Sequence, residues 1–365
     1  MVVLLSIICI NHLFFMKTDQ QFIRRAFQLA RLGEGQTSPN PMVGAVLVHQ
    51  NRIIGEGYHQ RYGGAHAEVN AVASVIQIDQ QYIPYSTLYV SLEPCCIFGK
   101  TPPCTNLIIE KRIPKVVLSC LDQTPEVSGM GIQILRAAGV EVVTGVLEDE
   151  GKLLAAPRNI FVQKKRPYII LKMAVTPNGF FAPDPPAPFW ITHDWTKRLV
   201  HRWRAEADAI LVGATTAQVD NPELTNRLYS GKSPLRVVLD HRSQLSPELH
   251  LFSDGMPTLA FVNHLPTEQK HAAVSYFEHQ GTASSVLPEL LTHFYQLKKS
   301  ILLVEGGATV LNEFIRQGLW DEARVITGQG WLTNGMSAPI LPVAPEVSIS
   351  LGSDQLRVFR NPANR

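Results

Sequence analysis

Short apolar, β-branched runs alternate along the chain with segments whose apolar side chains recur at helical spacing. In the first half, residues 43–48 and 53–57 predict two strands joined by a polar turn at 51–52. Helical spacing follows at 68–76, then a strand at 87–92, a short helix at 106–111, a strand at 115–119, a helix at 129–138 and a last run at 140–146. The second half predicts strands at 168–172, 209–213, 235–240, 258–262 and 301–305, and helices at 195–206, 289–298 and 310–317. Such alternation predicts layered α/β architecture in both halves. Residues 155–167 contain Pro157, the basic cluster Lys164, Lys165 and Arg166, and Pro167, which predicts a connector between domains at 17–156 and 167–365. Residues 183–188 hold four prolines in six positions, a stiff loop that no helix or central strand accepts.

At 365 residues the chain is long for a single core, which agrees with two domains. A composition of 45% hydrophobic and 18% charged residues indicates neither disorder nor a membrane bundle. The 33 basic and 31 acidic side chains leave a net charge of +2, too balanced for an obligatory nucleic-acid partner. Met1 to Phe15 are mostly apolar, yet the run falls short of the roughly 20 residues a membrane span needs. It also lacks the basic start and small-residue cleavage site of a secretory signal. Residues 1–16 are therefore expected to be a non-native or disordered leader, with Met16 the expected start. Three of the five cysteines, Cys95, Cys96 and Cys104, fall within ten positions among prolines, a spacing that suits a metal site in a reducing compartment. Cys9 and Cys120 read as packing residues. A cytoplasmic protein without a membrane partner is expected, assembled as a homo-oligomer.

The candidate chemistry sits in the first half. His66-Ala-Glu68 opens a helix, Glu93-Pro-Cys95 ends a strand, and Pro102-Pro-Cys104 precedes the next helix. An imidazole and two thiolates give three tetrahedral ligands for Zn2+ and leave a fourth position for water, as in catalytic rather than structural zinc sites. Glu68 reads as the catalytic acid–base group, because a fourth protein ligand would close that position. The order His-x-Glu, then Pro-Cys, then Cys is that of the zinc nucleobase deaminases, except that eight residues rather than two separate the cysteines. In extended backbone the side chain of Cys96 points away from that of Cys95.

The runs Thr37-Ser-Pro-Asn-Pro-Met-Val-Gly44, Gly55-Glu-Gly-Tyr-His59, His66-Ala-Glu68 and Gly99-Lys-Thr-Pro-Pro-Cys104 resemble the bifunctional deaminase/reductases of riboflavin biosynthesis. In the second half, Trp190-Ile-Thr192, Asp208-Ala-Ile-Leu-Val-Gly213, Asp220-Asn-Pro-Glu-Leu-Thr225 and Val304-Glu-Gly-Gly307 continue the resemblance, which covers residues 17 to 360. It implies an N-terminal cytidine-deaminase-like three-layer domain and a C-terminal dihydrofolate-reductase-like α/β domain that uses NADPH. The implied substrates are small phosphorylated pyrimidines: 2,5-diamino-6-(5-phosphoribosylamino)pyrimidin-4(3H)-one is deaminated, and the ribosyl chain of the resulting aminouracil is reduced. By matching, Asn40, His59, Lys100, Thr101 and Asp122 would contact the deaminase substrate. Ala174, Trp190, Thr216, Asp220 and the turn Gly307, Ala308, Thr309, Val310 and Leu311 would contact NADPH. Pro188, Arg204, Leu224, Arg227 and Glu305 would contact the reductase substrate.

Read on its own, the second half has no G-x-G-x-x-G fingerprint. Its glycines at 306 and 307 suit either close approach of an anion to a helix N-terminus or a tightly packed turn. Arg204 and Arg227 suit a phosphate through bidentate hydrogen bonds, with a solvated helix charge the lesser alternative for Arg204. The chain also departs from the family. Cys96-Ile97 stands where Ser-His is usual, Thr124 where Asn is usual, Asn178 where Asp is usual, and Pro188 where a serine is common. A base deaminase acting on a nucleoside or tRNA, and a single-activity deaminase with a degenerate nucleotide-binding second domain, are the two alternatives.

Overall fold

The computed structural model describes residues 18–268, 271–281 and 285–364, so the expected leader and Cys9 lie outside the described residues. The chain divides into two compact units, with the break between Lys164 and Lys165.

The first unit is built on a five-stranded sheet of order β2-β1-β3-β4-β5. Its strands are β1 (Gly44–His49), β2 (Arg52–Tyr58), β3 (Thr87–Leu92), β4 (Lys115–Cys120) and β5 (Glu141–Val143). Strand β1 runs antiparallel to β2 and β3, while β3, β4 and β5 are parallel. Side chains alternate across the sheet, as the period of two requires. Val46, Val48, Tyr89 and Val117 pack with Phe22, Ile23, Ala26 and Phe27 of α1 (residues 18–31) on one face. Ala45, Leu47, Leu88, Val90, Val116 and Leu118 meet three further helices on the opposite face: α2 (Ala67–Ala73), α3 (Cys104–Glu110) and α4 (Met130–Ala137). Helices on both faces make three layers. Two glycines permit the close contact: a Cβ on Gly44 would lie 2.0 Å from the Ala26 carbonyl oxygen, and one on Gly57 2.2 Å from the Ala71 nitrogen.

The expected connector at 155–167 is corrected by the structure. Residues Glu148–Lys164 form one helix, α5, with Pro157 inside it. Proline there removes one hydrogen bond, to the carbonyl of Leu153, whose residue faces solvent. Ala155, Ile160 and Phe161 on the other side are buried and hold the helix. The basic cluster is also not uniformly solvated. Arg166 is buried and paired in bidentate fashion with Asp321, at 2.6 and 2.9 Å. The run at 140–146 ends early, at Val143, where the chain turns through Gly145 with φ 83°.

The second unit carries a nine-stranded sheet. Its members are β6 (Tyr168–Val175), β8 (Ala209–Gly213), β9 (Leu235–Asp240), β10 (Thr258–Val262), β11 (Val274–Glu278), β12 (Ile301–Val304), β13 (Glu322–Thr327), β15 (Val347–Leu351) and β16 (Asp354–Arg360). The order is β11-β10-β9-β8-β12-β6-β13-β16-β15, parallel from β11 to β13 and antiparallel thereafter. A separate ribbon pairs β7 (Phe180–Pro183) with β14 (Gly335–Ser337). The helices are α6 (Asp194–Glu206), α7 (Ala214–Asp220), α8 (His250–Ser253), α9 (Val286–Gln296) and α10 (Ala308–Arg316). Strands buried on both faces read as mostly apolar runs, although β6 carries Lys172 and β9 a buried Arg236. Because β12 sits between β8 and β6, the chain reverses its direction of travel across the sheet there. In open α/β sheets, ligands bind at the carboxyl ends of the strands where such a reversal occurs.

Candidate active site

In the first unit, three element ends bring the expected metal donors together. His66 is the N-cap residue of α2, Cys95 follows β3, and Cys104 is the first residue of α3. His66 Nδ1 lies 3.4 Å from Cys95 Sγ and 3.3 Å from Cys104 Sγ. The three donor atoms lie within 4.8 Å of one another, and no other such group of His, Cys, Asp or Glu occurs among the described residues. Thr101 Oγ1 stands 3.3 Å from His66 Nε2, so it holds the ring with Nδ1 toward the sulfurs. Thr101, expected at the substrate, therefore also orients a metal donor. The Cys104 amide donates to Cys95 Sγ at 3.3 Å, which fixes the Cys95 sulfur from the start of α3. A soft donor set of two thiols and one imidazole fits zinc.

Glu68 lies in the first turn of α2 and is buried; burial and the neighbouring Cys95 sulfur push its carboxyl pKa up. The sulfur of Cys96 turns away, toward the Glu126 carbonyl, and does not join the donor group. A cavity of about 340 Å³ opens beside these groups. Its walls include Asn40, His59, Lys100, Thr101 and Asp122, all five expected substrate residues. His59 Nδ1 is 3.0 Å from the Ala65 carbonyl and Nε2 is 3.2 Å from Asn40 Nδ2, so a neutral ring donates to the first and accepts from the second. Burial lowers its pKa and agrees with that state. The ammonium of Lys100 lies 4.1 Å from the centroid of the Tyr62 ring. Asp122 accepts from the Thr124 amide at 2.7 Å.

Sequence reasoning missed Glu93. Its buried carboxylate accepts amides of Gly129 and Gly131 at 3.0 Å, closing the start of α4 onto the segment that carries Cys95. A glutamate one residue before a proline gives no signal of that role, because the partners lie more than thirty positions away.

In the second unit, the expected residues gather at the carboxyl ends of β6, β8 and β12. Arg204 of α6 grips Glu305 through Nε and Nη2 at 2.8 and 2.9 Å, and its Nη1 donates to the Thr225 carbonyl at 3.1 Å. The solvated-charge reading of Arg204 is thereby excluded. Lys172 Nζ, unremarked in the sequence, lies 3.9 Å from Glu305. Burial alone would raise the Glu305 pKa, but Arg204 and Lys172 outweigh it and hold the carboxyl at about 2. Burial lowers the Lys172 pKa. Gly307, with φ 74°, caps α10, and a Cβ on it would lie 3.0 Å from Thr216 Oγ1, so these two expected cofactor residues are neighbours. Asp220 ends α7 and feels the charge of Lys172.

Other expected contacts sit differently. Leu311 is wholly buried in the core because α10 turns that face to the sheet, so its side chain supports the turn from beneath. Leu224 is likewise buried, with φ 54°. Trp190 is 74% exposed with Lys197 Nζ 4.0 Å from its ring centroid, and so is no core residue. Pro188 is exposed in the same loop, which packs through Ile191 on Gly330. Arg227 pairs with Glu223 on the surface. Asn178 ties its turn to the Leu332 carbonyl at 2.7 Å.

Two family matches coincide with these units. Residues 16–120 match the cytidine and deoxycytidylate deaminase zinc-binding region, and residues 167–329 match the RibD C-terminal domain. The riboflavin biosynthesis protein RibD of Aquifex aeolicus is 36% identical over 87% of this chain and 89% of its own length. The chain belongs to the RibD family. RibD of Escherichia coli is 32% identical over 83% of this chain and 86% of its own length. A solved structure from Thermotoga maritima, a diaminohydroxyphosphoribosylaminopyrimidine deaminase/5-amino-6-(5-phosphoribosylamino)uracil reductase, superposes with a TM-score of 0.85 at 35% identity. It covers 95% of this chain and 99% of that one.

As a RibD-family protein the chain is a bifunctional deaminase/reductase of riboflavin biosynthesis, with zinc and NADPH as cofactors. Its first unit has the cytidine-deaminase-like fold and its second the dihydrofolate-reductase-like fold of the RibD reductase domain. The match over 167–329 removes the ground for a degenerate second domain, and the base-deaminase alternative loses its unrelated partner domain. Among the described residues no helix is long and apolar enough to cross a membrane.

Proposed function

We propose that the first unit hydrolyses the 2-amino group of 2,5-diamino-6-(5-phosphoribosylamino)pyrimidin-4(3H)-one, and that the second reduces the ribosyl chain of the aminouracil product. The observation that carries the first assignment is the convergence of His66 Nδ1 with two cysteine sulfurs beside a buried Glu68. His66, Cys95 and Cys104 would hold zinc. When bound, the metal supplies the Lewis acidity that makes water nucleophilic near neutral pH. Glu68 takes a proton and delivers it to the departing amine, a task suited to a carboxyl whose pKa burial has raised. Asn40, His59 and Asp122 orient the pyrimidine, and Lys100 meets its phosphate.

In the second unit, Glu305 accepts hydrogen bonds from the substrate while Arg204 and Lys172 fix its charge. The Gly307 turn with Ala308, Thr309 and Val310 receives the cofactor with Thr216, Asp220, Ala174 and Trp190. NADPH supplies the hydride. Thiol ligands and a near-neutral surface support action in the cytoplasm without nucleic acid. The same proposal includes a homo-oligomer.

The test supplies the diaminopyrimidine phosphate with and without NADPH and follows ammonia release and NADPH oxidation separately. Both signals are expected, with ammonia first. Glu68→Gln should cut ammonia release by about 10²- to 10⁴-fold while zinc content stays the same. Loss of zinc from that variant, or full activity in it, overturns the role given to Glu68.

A further inference from the structure

The deaminase cavity has a wall residue that no motif announced. Arg158 of α5 reaches the cavity, where it stands against the segments that carry two of the substrate residues. Its Nη2 donates to Thr124 Oγ1 at 3.1 Å, and its Nη1 reaches the Pro39 carbonyl at 3.4 Å. Pro39 precedes Asn40, and Thr124 holds Asp122 through its amide. The guanidinium therefore sits where the chain lacks the usual amide at position 124. Of the lining side chains, His59 is neutral and His66 faces the sulfurs. Arg158, Lys100 and no third residue bring a fixed positive charge.

We infer that Arg158 is a substrate-binding residue of the deaminase and shares the substrate phosphate with Lys100. The inference rests on the deaminase reading above. A guanidinium presents its five N–H donors in one rigid plane, so the Nη1 and Nη2 edge that meets Pro39 and Thr124 at the cavity wall is also the edge that matches phosphate oxygens. Thr124 fits this role, since its hydroxyl accepts from Arg158 and so orients the guanidinium at the cavity wall. The departure at 124 is then one half of a matched pair, not simply a loss.

The experiment compares the phosphorylated diaminopyrimidine with its dephosphorylated form on wild type, Arg158→Gln and Arg158→Lys. Arg158→Gln should raise KM for the phosphorylated substrate by about 10-fold or more with kcat within about threefold. It should weaken competitive inhibition by ribose 5-phosphate by the same factor. Against the dephosphorylated substrate the loss in kcat/KM should be severalfold smaller, and Arg158→Lys should recover part of the loss on the phosphorylated one. An equal loss on both substrates assigns Arg158 to holding the loops alone and overturns the inference, as does no loss on either. If Arg158→Gln does not fold, the lysine variant decides by the same ratio of the two substrates. Absence of ammonia from wild type on both substrates is a different failure, that of the deaminase reading itself.

Discussion

The two units place their chemistry in opposite electrostatic settings. In the first, two sulfurs, an imidazole and a buried carboxyl crowd one corner without any lysine or arginine among the donors. In the second, Glu305 is already matched by Arg204 and Lys172. The first site is thus completed by a cation from solution, whereas the second is set by its own charges before any ligand arrives. Removing one group should therefore have different consequences in the two places.

The largest effect is expected in the metal corner. Cys104→Ser should lose zinc and cut ammonia release by well over about 100-fold, the loss that changes outside the ligand set already reach. NADPH oxidation with supplied aminouracil should persist, because the charged cluster of the second unit needs no metal. Zinc analysis beside the two assays checks this, and joint loss of both activities would break the contrast.

Next comes Glu305→Gln, which keeps the shape and removes the charge. It leaves the half-buried Arg204 and Lys172 without their anion, a change that costs up to about 3–5 kcal/mol, the loss when one partner of a fully buried pair is removed. Reductase activity and thermal stability of the second unit should fall together, while ammonia release continues. If stability is unchanged, the cluster is not preorganised as the geometry indicates.

The sequence made the metal corner legible because its donors occupy short motifs at the ends of β3, α2 and α3. It also made the buried strands legible, since 209–213, 235–240 and 258–262 are apolar runs that coincide with β8, β9 and β10. It did not reveal Lys172, Glu93 or Arg158. Each is an ordinary residue type whose meaning comes from partners far along the chain. Helix α5 was hidden by Pro157, a local signal for a break that burial of Ile160 and Phe161 overrides. Arg166 read only as part of a basic connector, and its carboxylate partner Asp321 lies more than 150 positions later.

A smaller effect is the pH dependence that His201 gives the second unit. His201 is buried, and its Nδ1 accepts the Arg227 amide at 2.9 Å. Burial, with Arg204 and Arg227 nearby, lowers its pKa to about 4. The folded value lies below the unfolded one, near 6.5, so the unfolded chain takes up the proton first as pH falls. The stability His201 contributes is thus complete above about pH 6.5 and is lost as pH falls toward 4. Thermal unfolding of the second unit should lose on the order of 1–2 kcal/mol across that window, and His201→Asn should flatten the slope. Parallel slopes in the two proteins would count against it.

The smallest effect concerns the mouth of the deaminase cavity, where Ile97 stands in place of an imidazole. Ile97 lines the cavity and is 43% exposed, so any hydrogen bond made there competes with water. Restoring it with Ile97→His should yield a net gain near the low end of about 0.5–1.5 kcal/mol, seen as a severalfold lower KM with kcat unchanged. The gain should appear on phosphorylated and dephosphorylated substrate alike, because a group at this wall addresses the ring. Arg158 changes should instead depend on the phosphate. If Ile97→His leaves KM where it is, the missing imidazole costs this enzyme nothing, and its grip on the pyrimidine rests on Asn40, His59 and Asp122.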